Sequence, residues 1–265
     1  MGRRLGQHFL FQQDLLERIA AAACGERAGR VIEIGPGPGG LTASLRPRCD
    51  ELILVELDPV LAAGLRARYA DDPRVRVVEG DVLSTDLGQW GPAVVCGNLP
   101  YYITSPIVEQ ALGLGPLLGK AVFLVQREVA ERLAAGPGSC DYGFLSASVQ
   151  VQCRVERLFL IKPNAFRPPP KVDSAVVRLT PLAEPLAPDL AAFRRFVSAC
   201  FRQKRKTLRN NLAHSVPKNV LDALPEAGLR AEQLGVTQLA ALLERLTAAG
   251  AFSSKPTPPE RPQKA

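Results

Sequence analysis

Val31-Ile-Glu-Ile-Gly-Pro-Gly-Pro-Gly-Gly40 carries a β-branched run into a segment of helical spacing, GLTASLR, through a turn made of glycine and proline. A strand that turns through glycine into a helix puts the turn at the carboxyl end of a sheet, where open α/β sheets bind their ligands. The same residues match Gly-x-Gly-x-x-Gly at Gly35, Gly37 and Gly40, the form used by dinucleotide-binding loops. Those loops hold a pyrophosphate on main-chain N–H groups, and Pro36 and Pro38 each remove one such donor. The pattern predicts an α/β sheet whose ligand crevice holds no phosphate; a tight turn with no ligand is the alternative.

Outward from this turn, β-branched runs recur: RVIEI (30–34), ELILVEL (51–57), RVRVVEG (74–80), AVVCGN (93–98), AVFLVQ (121–126), QCRVERLFLI (152–161) and SAVVRLT (174–180). The intervals, among them LLERIAAAA, PVLAAGLRARYA, SPIVEQALGL, EVAERLAA and FLSASVQ, carry apolar residues near helical spacing. Such alternation predicts a seven-stranded, mostly parallel sheet of Rossmann-like type covered by helices, its last two strands close enough to pair antiparallel. After Pro181 the composition changes. LAEPLAP reads as a linker, and DLAAFRRFVSACFRQ, KTLRNNLAHSV, KNVLDAL and TQLAALLERLTAA carry helical periodicity only. The predicted organisation is an α/β domain over 1–181, a small all-helical domain over 182–252, and a Pro-rich polar tail over 253–265 that is disordered.

Charge is uneven along the 265 residues. The net charge is +7, and residues 182–265 hold 13 Lys and Arg against 7 Asp and Glu. A nucleic-acid partner fits that asymmetry, although a solvated basic face would look the same. Within FRQKRKTLRNNL (201–212), Arg202, Lys204, Arg205, Lys206 and Arg209 stand with no acidic residue among them. They predict a helical stripe that binds phosphate rather than reading bases. The six cysteines never form CxxC and the only histidines are His8 and His214, so no zinc-ligand set assembles and His-based hydrolase schemes have little to work with. No apolar run approaches the roughly 20 residues of a membrane helix, and the start lacks a signal-peptide pattern. A cytoplasmic monomer without a metal or a membrane is expected.

Glu56 in LVELDP and Asp81 in EGDVL stand where the second and third strands end, and on this topology both carboxylates project into the crevice. The first can accept both hydroxyls of a ribose, the second an adenine amino group. S-adenosylmethionine, a nucleoside derivative without phosphates, suits such a crevice, with Gly35, Gly37, Leu57 and Val82 beside the acids. Taken singly each acid could cap a helix, and Asp58, directly before Pro59, suits that role better than Glu56.

Gly97-Asn98-Leu99-Pro100-Tyr101-Tyr102 closes the fourth strand. An adenine N6 is a poor nucleophile because its lone pair is delocalised into the ring. It becomes reactive when acceptors hold its two hydrogens, as the Asn98 side-chain oxygen and a neighbouring main-chain carbonyl can, with Pro100 stiffening the turn that aims them. Tyr101 offers a face on which an extruded base can stack. A proline-stabilised turn with buried tyrosines is the bland alternative.

This stretch resembles the Asn/Asp-x-Pro-Tyr/Phe signature of amino-methyltransferases, and as NLPYYITSPIV it is similar to the ribosomal RNA adenine dimethyltransferases. LGQHFL (5–10), residues 124–150 and Phe166-Arg-Pro-Pro-Pro-Lys-Val-Asp-Ser-Ala175 follow the same family. The resemblance runs from Leu5 to about Leu246 and is stronger to the bacterial small-subunit enzymes than to those that modify the large subunit. It implies a class I methyltransferase that uses S-adenosylmethionine to dimethylate N6 of adjacent adenines near the 3′ end of 16S rRNA in the immature small subunit. It also implies that His8 and Leu10 contact the methionine end of the cofactor; a common family form has Asn where this chain has His8. Phe166 is expected to close over the base opposite Tyr101, or else to be the apolar anchor of a proline-rich connector. A large-subunit dimethyltransferase, and a ribosome-assembly factor that keeps the fold without catalysis, are the competing readings.

Overall fold

The computed structural model describes His8–Phe252. The tail 253–265 and the opening residues of LGQHFL lie outside the described residues. The strands are β1 (Phe9–Leu10), β2 (Ala28–Ile34), β3 (Cys49–Glu56), β4 (Val75–Glu79), β5 (Ala93–Asn98), β6 (Leu118–Gln126), β7 (Cys153–Ile161), β8 (Phe166–Arg167) and β9 (Ser174–Pro181). The helices are α1 (Gln13–Cys24), α2 (Gly40–Leu45), α3 (Pro59–Arg68), α4 (Thr104–Leu112), α5 (Arg127–Ala134), α6 (Phe144–Gln150), α7 (Leu190–Cys200), α8 (Leu208–Leu212), α9 (Lys218–Ala223) and α10 (Val236–Ala248).

Seven strands form one sheet in the order β4-β3-β2-β5-β6-β9-β7. Neighbours from β4 to β6 run parallel, and β9 lies antiparallel to both β6 and β7. The sheet is thus the mostly parallel, Rossmann-like one that the alternation predicts. From β2 the chain builds outward to β4 and then returns to place β5 on the other side of β2. That reversal opens a crevice at the carboxyl ends of β2 and β5.

The near-continuous apolar runs have a simple cause, since both faces of the sheet are covered. Val31, Leu52, Leu54, Cys96, Val122 and Leu124 pack with Leu16 and Ile19 of α1 and Leu41 and Leu45 of α2. Their alternates Ile32, Ile53, Val55, Val95 and Phe123 point the other way and are also buried. Each such side chain contributes roughly 1.5–3 kcal/mol by leaving water. Outside this sheet, β1 and β8 form a two-residue antiparallel ribbon that pairs Phe9 with Arg167 and Leu10 with Phe166.

The chain divides into two compact units. One takes in the described chain up to Ala134 together with Cys153–Leu182; the other takes in Ala135–Gln152 and the described chain from Ala183. The sequence pattern assigns α6 to the α/β part, whereas Tyr142, Ala147 and Val151 pack in one core with Phe193, Phe196, Leu239 and Leu242. The burial of Tyr142 explains the difference, because a helix follows the core that takes its apolar side chains rather than its place in the chain.

Candidate active site

The glycine turn is wired internally. Gly35 N donates to Val55 O at 2.9 Å, Gly37 N to the Glu56 carboxylate at 2.9 Å and Gly39 N to Pro36 O at 3.0 Å. Pro36 and Pro38 have no N–H to give, so every main-chain donor from Gly35 to Gly39 is spent or missing. Gly37 has φ +58°, and a Cβ there would lie 2.7 Å from the Phe9 ring, so only glycine fits. Gly97 is required for another reason. A Cβ on it would lie 2.3 Å from Ile34 O, so its absence lets β5 close against the end of β2.

Above the turn lies a cleft of about 850 Å³, open solvent included. Gly35, Gly37, Glu56, Leu57, Asp81 and Val82 line it, as do Asn98, Leu99, Pro100 and Tyr101. The Glu56 carboxylate is buried, and its two oxygens accept separately from Gly37 N and from Asp58 N at 2.9 Å. Each oxygen keeps a lone pair, which is the acceptor set a ribose diol requires. Asp58 caps α3 by accepting from Val60 N and Leu61 N, leaving Glu56 to the cleft as the sequence suggests. Asp81 does both jobs, capping the turn Val82–Ser84 through Leu83 N at 2.9 Å while lining the cleft.

Beneath the turn sits Glu33, a residue that sequence reasoning did not single out. It is buried and accepts from the Thr42 hydroxyl at 2.7 Å. Burial pushes its carboxyl up to about 8, with the Thr42 hydrogen bond opposing the rise and the nearby Glu56 charge adding to it. Near neutral pH it is mostly protonated.

At the other wall, the Asn98 amide nitrogen donates to His8 O at 2.7 Å, which leaves the Asn98 carbonyl oxygen free to accept. The Tyr101 hydroxyl shares a 2.7 Å hydrogen bond with the Ser174 hydroxyl, and burial raises its proton affinity against that bond. His8 stacks on the Tyr101 ring with centroids 5.7 Å apart, and its Nδ1 donates to Pro168 O at 2.7 Å. His8, Asn98 and Tyr101 therefore form one connected wall. Phe9 and Tyr102 also line the cleft; both lie within motifs quoted above, but nothing in their residue type marks them out.

Two expected site residues do not line the main cleft. Phe166 is 2% exposed, packs in the core beside α1 and is absent from the cleft wall, the placement of an apolar anchor for the proline-rich connector. Leu10 is buried opposite it and borders a smaller hollow under the glycine turn rather than the cleft.

In the second unit the basic residues do not form a helical stripe. Arg202, Lys204, Arg205 and Lys206 lie in the turn between α7 and α8, and only Arg209 is helical. The cause is buried Asn211, whose amide nitrogen donates to the carbonyls of Cys200, Gln203 and Lys206 while its oxygen accepts from Gln203 N. That side chain holds the turn open where basic spacing alone suggests a helix. Lys204 is tied to Cys140 O and Arg209 to Asp222, whereas Arg202, Arg205 and Lys206 pair with no carboxylate among the described residues.

Among the described residues no cluster of His, Cys, Asp and Glu could hold a metal ion, and no helix is long and apolar enough to cross a membrane.

The sequence matches the family model described as ribosomal RNA adenine dimethylase over residues 2–246. It is 45% identical over 255 residues to the ribosomal RNA small subunit methyltransferase A of Bordetella pertussis, covering 94% of this chain and 95% of that protein. The protein of the same name from Geobacter sulfurreducens is 42% identical, with 94% and 96% covered. Among solved structures, a dimethyladenosine transferase from Plasmodium falciparum superimposes with a TM-score of 0.82 at 27% identity, covering 92% of this chain and 99% of that one. The 23S rRNA methyltransferase ErmE gives 0.72 at 29% identity, covering 90% and 99%.

Proposed function

The chain belongs to the ribosomal RNA adenine dimethylase family, and from that premise we propose that it transfers two methyl groups in turn from S-adenosylmethionine to N6 of adenines in small-subunit rRNA. The observation that carries the reading is the pair of opposed walls in one cleft: Glu56 and Asp81 on one side, Asn98 and Tyr101 on the other. The acids and the phosphate-averse turn fit a nucleoside cofactor. The small-subunit assignment rests on relatives at 42–45% identity, against 29% for the large-subunit enzyme.

The sulfonium of the bound cofactor supplies an electrophilic methyl group. This chain's residues prepare the amine that attacks it. The Asn98 oxygen, fixed by the amide's bond to His8, accepts one N6 hydrogen and draws the nitrogen lone pair out of the ring. Tyr101, braced by Ser174, supports the extruded base. The bound cofactor would supply the methyl group to N6, while the Asn98 oxygen holds the amine in place and the proton lost from N6 would leave to solvent. Arg202, Arg205 and Lys206 supply phosphate contacts in the second unit. The unit boundary near residue 182, the monomeric state and the cytoplasmic setting belong to the same proposal.

The test is incubation with labelled S-adenosylmethionine and unmodified small or large ribosomal subunits, followed by nucleoside analysis. Label in N6,N6-dimethyladenosine from the small subunit is the expected result. Label confined to the large subunit, or none in either, would overturn it.

A further inference from the structure

The segment Arg167-Pro-Pro-Pro-Lys-Val-Asp-Ser174 lines no part of the cleft itself but is fastened at both ends to residues of its wall. Pro168 O accepts from His8 Nδ1, and the Ser174 hydroxyl bonds that of Tyr101. Three consecutive prolines stiffen the stretch between these anchors. Arg167 and Lys171 on it are both exposed.

Most cations of this unit are neutralised. Arg27, Arg30, Arg46, Arg48, Arg66, Arg74, Arg127, Arg154, Arg157, Lys162 and Arg178 each pair with a carboxylate. Arg167 and Lys171 pair with none among the described residues. Asp173, the acid nearest in sequence, is taken by Lys162 at 2.8 Å, with Arg127 at 3.9 Å. Arg167 is held another way: its guanidinium carbon lies 4.3 Å from the centroid of the half-exposed Phe11 ring. Stacking fixes the plane of the guanidinium and leaves its N–H edge to the solvent, the arrangement that grips a phosphate in two-pronged fashion.

The geometry points to Arg167, seated on Phe11, and Lys171 as a phosphate clamp on the segment tethered to the cleft wall. It takes the RNA backbone next to the extruded adenine and sets the target base in register with Asn98 and Tyr101. This rests on the proposed function and adds a binding site within the catalytic unit, separate from the basic turn of the other unit.

The experiment measures initial rates of methyl transfer by the full chain to unmodified small subunits over a series of salt concentrations. For R167A/K171A, KM for the subunit is expected to rise about fivefold or more, and the log–log salt dependence to flatten by about 0.7–0.9 per lost contact. The dissociation constant for S-adenosylmethionine and Tm should stay at wild-type values. R167K, which keeps the charge but not the stacked plane, should fall between. R76A, which removes an exposed cation from the edge strand β4, should behave as wild type.

A double variant with wild-type KM and salt slope overturns the clamp, as does one whose higher KM comes with lost cofactor affinity and lower Tm. A wild-type chain that methylates neither subunit overturns the proposed function itself, and that result is read before any variant is made.

Discussion

The amide nitrogen of Asn98 donates to the main-chain oxygen of His8 across 2.7 Å, joining the end of β5 to the strand that enters at β1. That bond decides which way the amide faces, so the Asn98 oxygen is aimed before any substrate arrives. Asn98→Ala is therefore expected to slow methyl transfer by about two orders of magnitude or more while leaving cofactor affinity close to wild type. Asn98→Asp should be as damaging, because a carboxylate cannot donate to His8 and two acceptors would face each other. Single-turnover rates, with calorimetry on the cofactor, check both.

Glu56→Ala should act in the opposite order. It removes the acceptor for a ribose and the tie that holds Gly37 N and Asp58 N. The loss expected in cofactor binding is roughly 1.5–3 kcal/mol, about tenfold or more in dissociation constant, the usual size for hydrogen bonds to a charged group. Wild-type affinity in calorimetry would place the cofactor elsewhere.

The buried Glu33 makes stability depend on pH. Its folded value of about 8 lies above the ordinary 4.5. Between those values the native state keeps a proton that the unfolded chain has lost, so stability falls as pH rises through that window and levels off above it. Glu33→Gln mimics the protonated form and should abolish the slope. Tm measured from pH 5 to pH 9 on both proteins tests this, and an unchanged slope in the variant would assign the dependence to other groups.

In the second unit the cations are not equivalent. Replacing Arg205 and Lys206 by alanine should weaken binding to small subunits and flatten the salt dependence by about 0.7–0.9 per contact, with cofactor affinity unchanged. Arg209→Ala breaks a pair with Asp222 instead and should leave the salt slope nearly as it was. Filter binding over a range of salt separates the two.

The parts of this molecule legible in the sequence are those where one residue type has one physical use. Pro36 and Pro38 rule out phosphate donors wherever the turn lies, and acids at strand ends reach a crevice once the sheet is parallel. Phe166 and the basic turn were less legible because each depends on distant partners. An aromatic residue at the start of a proline-rich connector suits a pocket or a core equally well, and it takes distant partners, Leu10 across the ribbon and the α1 core, to place Phe166 among buried side chains. The basic residues have helical spacing, but Asn211, beyond the charged cluster, binds three carbonyls and keeps the chain in a turn. Glu33 carries no mark at all in the sequence, since its chemistry comes entirely from burial.

On the proposed assignment of S-adenosylmethionine to the cleft, the internal wiring of the glycine turn bears on how the site would tell that cofactor from ATP, which shares its nucleoside. A triphosphate placed here would meet Pro36 and Pro38, find the N–H groups of Gly35, Gly37 and Gly39 already given to Val55, Glu56 and Pro36, and lie near a buried carboxylate. Its charges would lose water and gain no donor from Gly35 to Gly39. From Gly35 to Gly39 the turn would thus greet such a competitor with no free main-chain donor, a selectivity written into the backbone and its neighbours rather than into a gatekeeping residue.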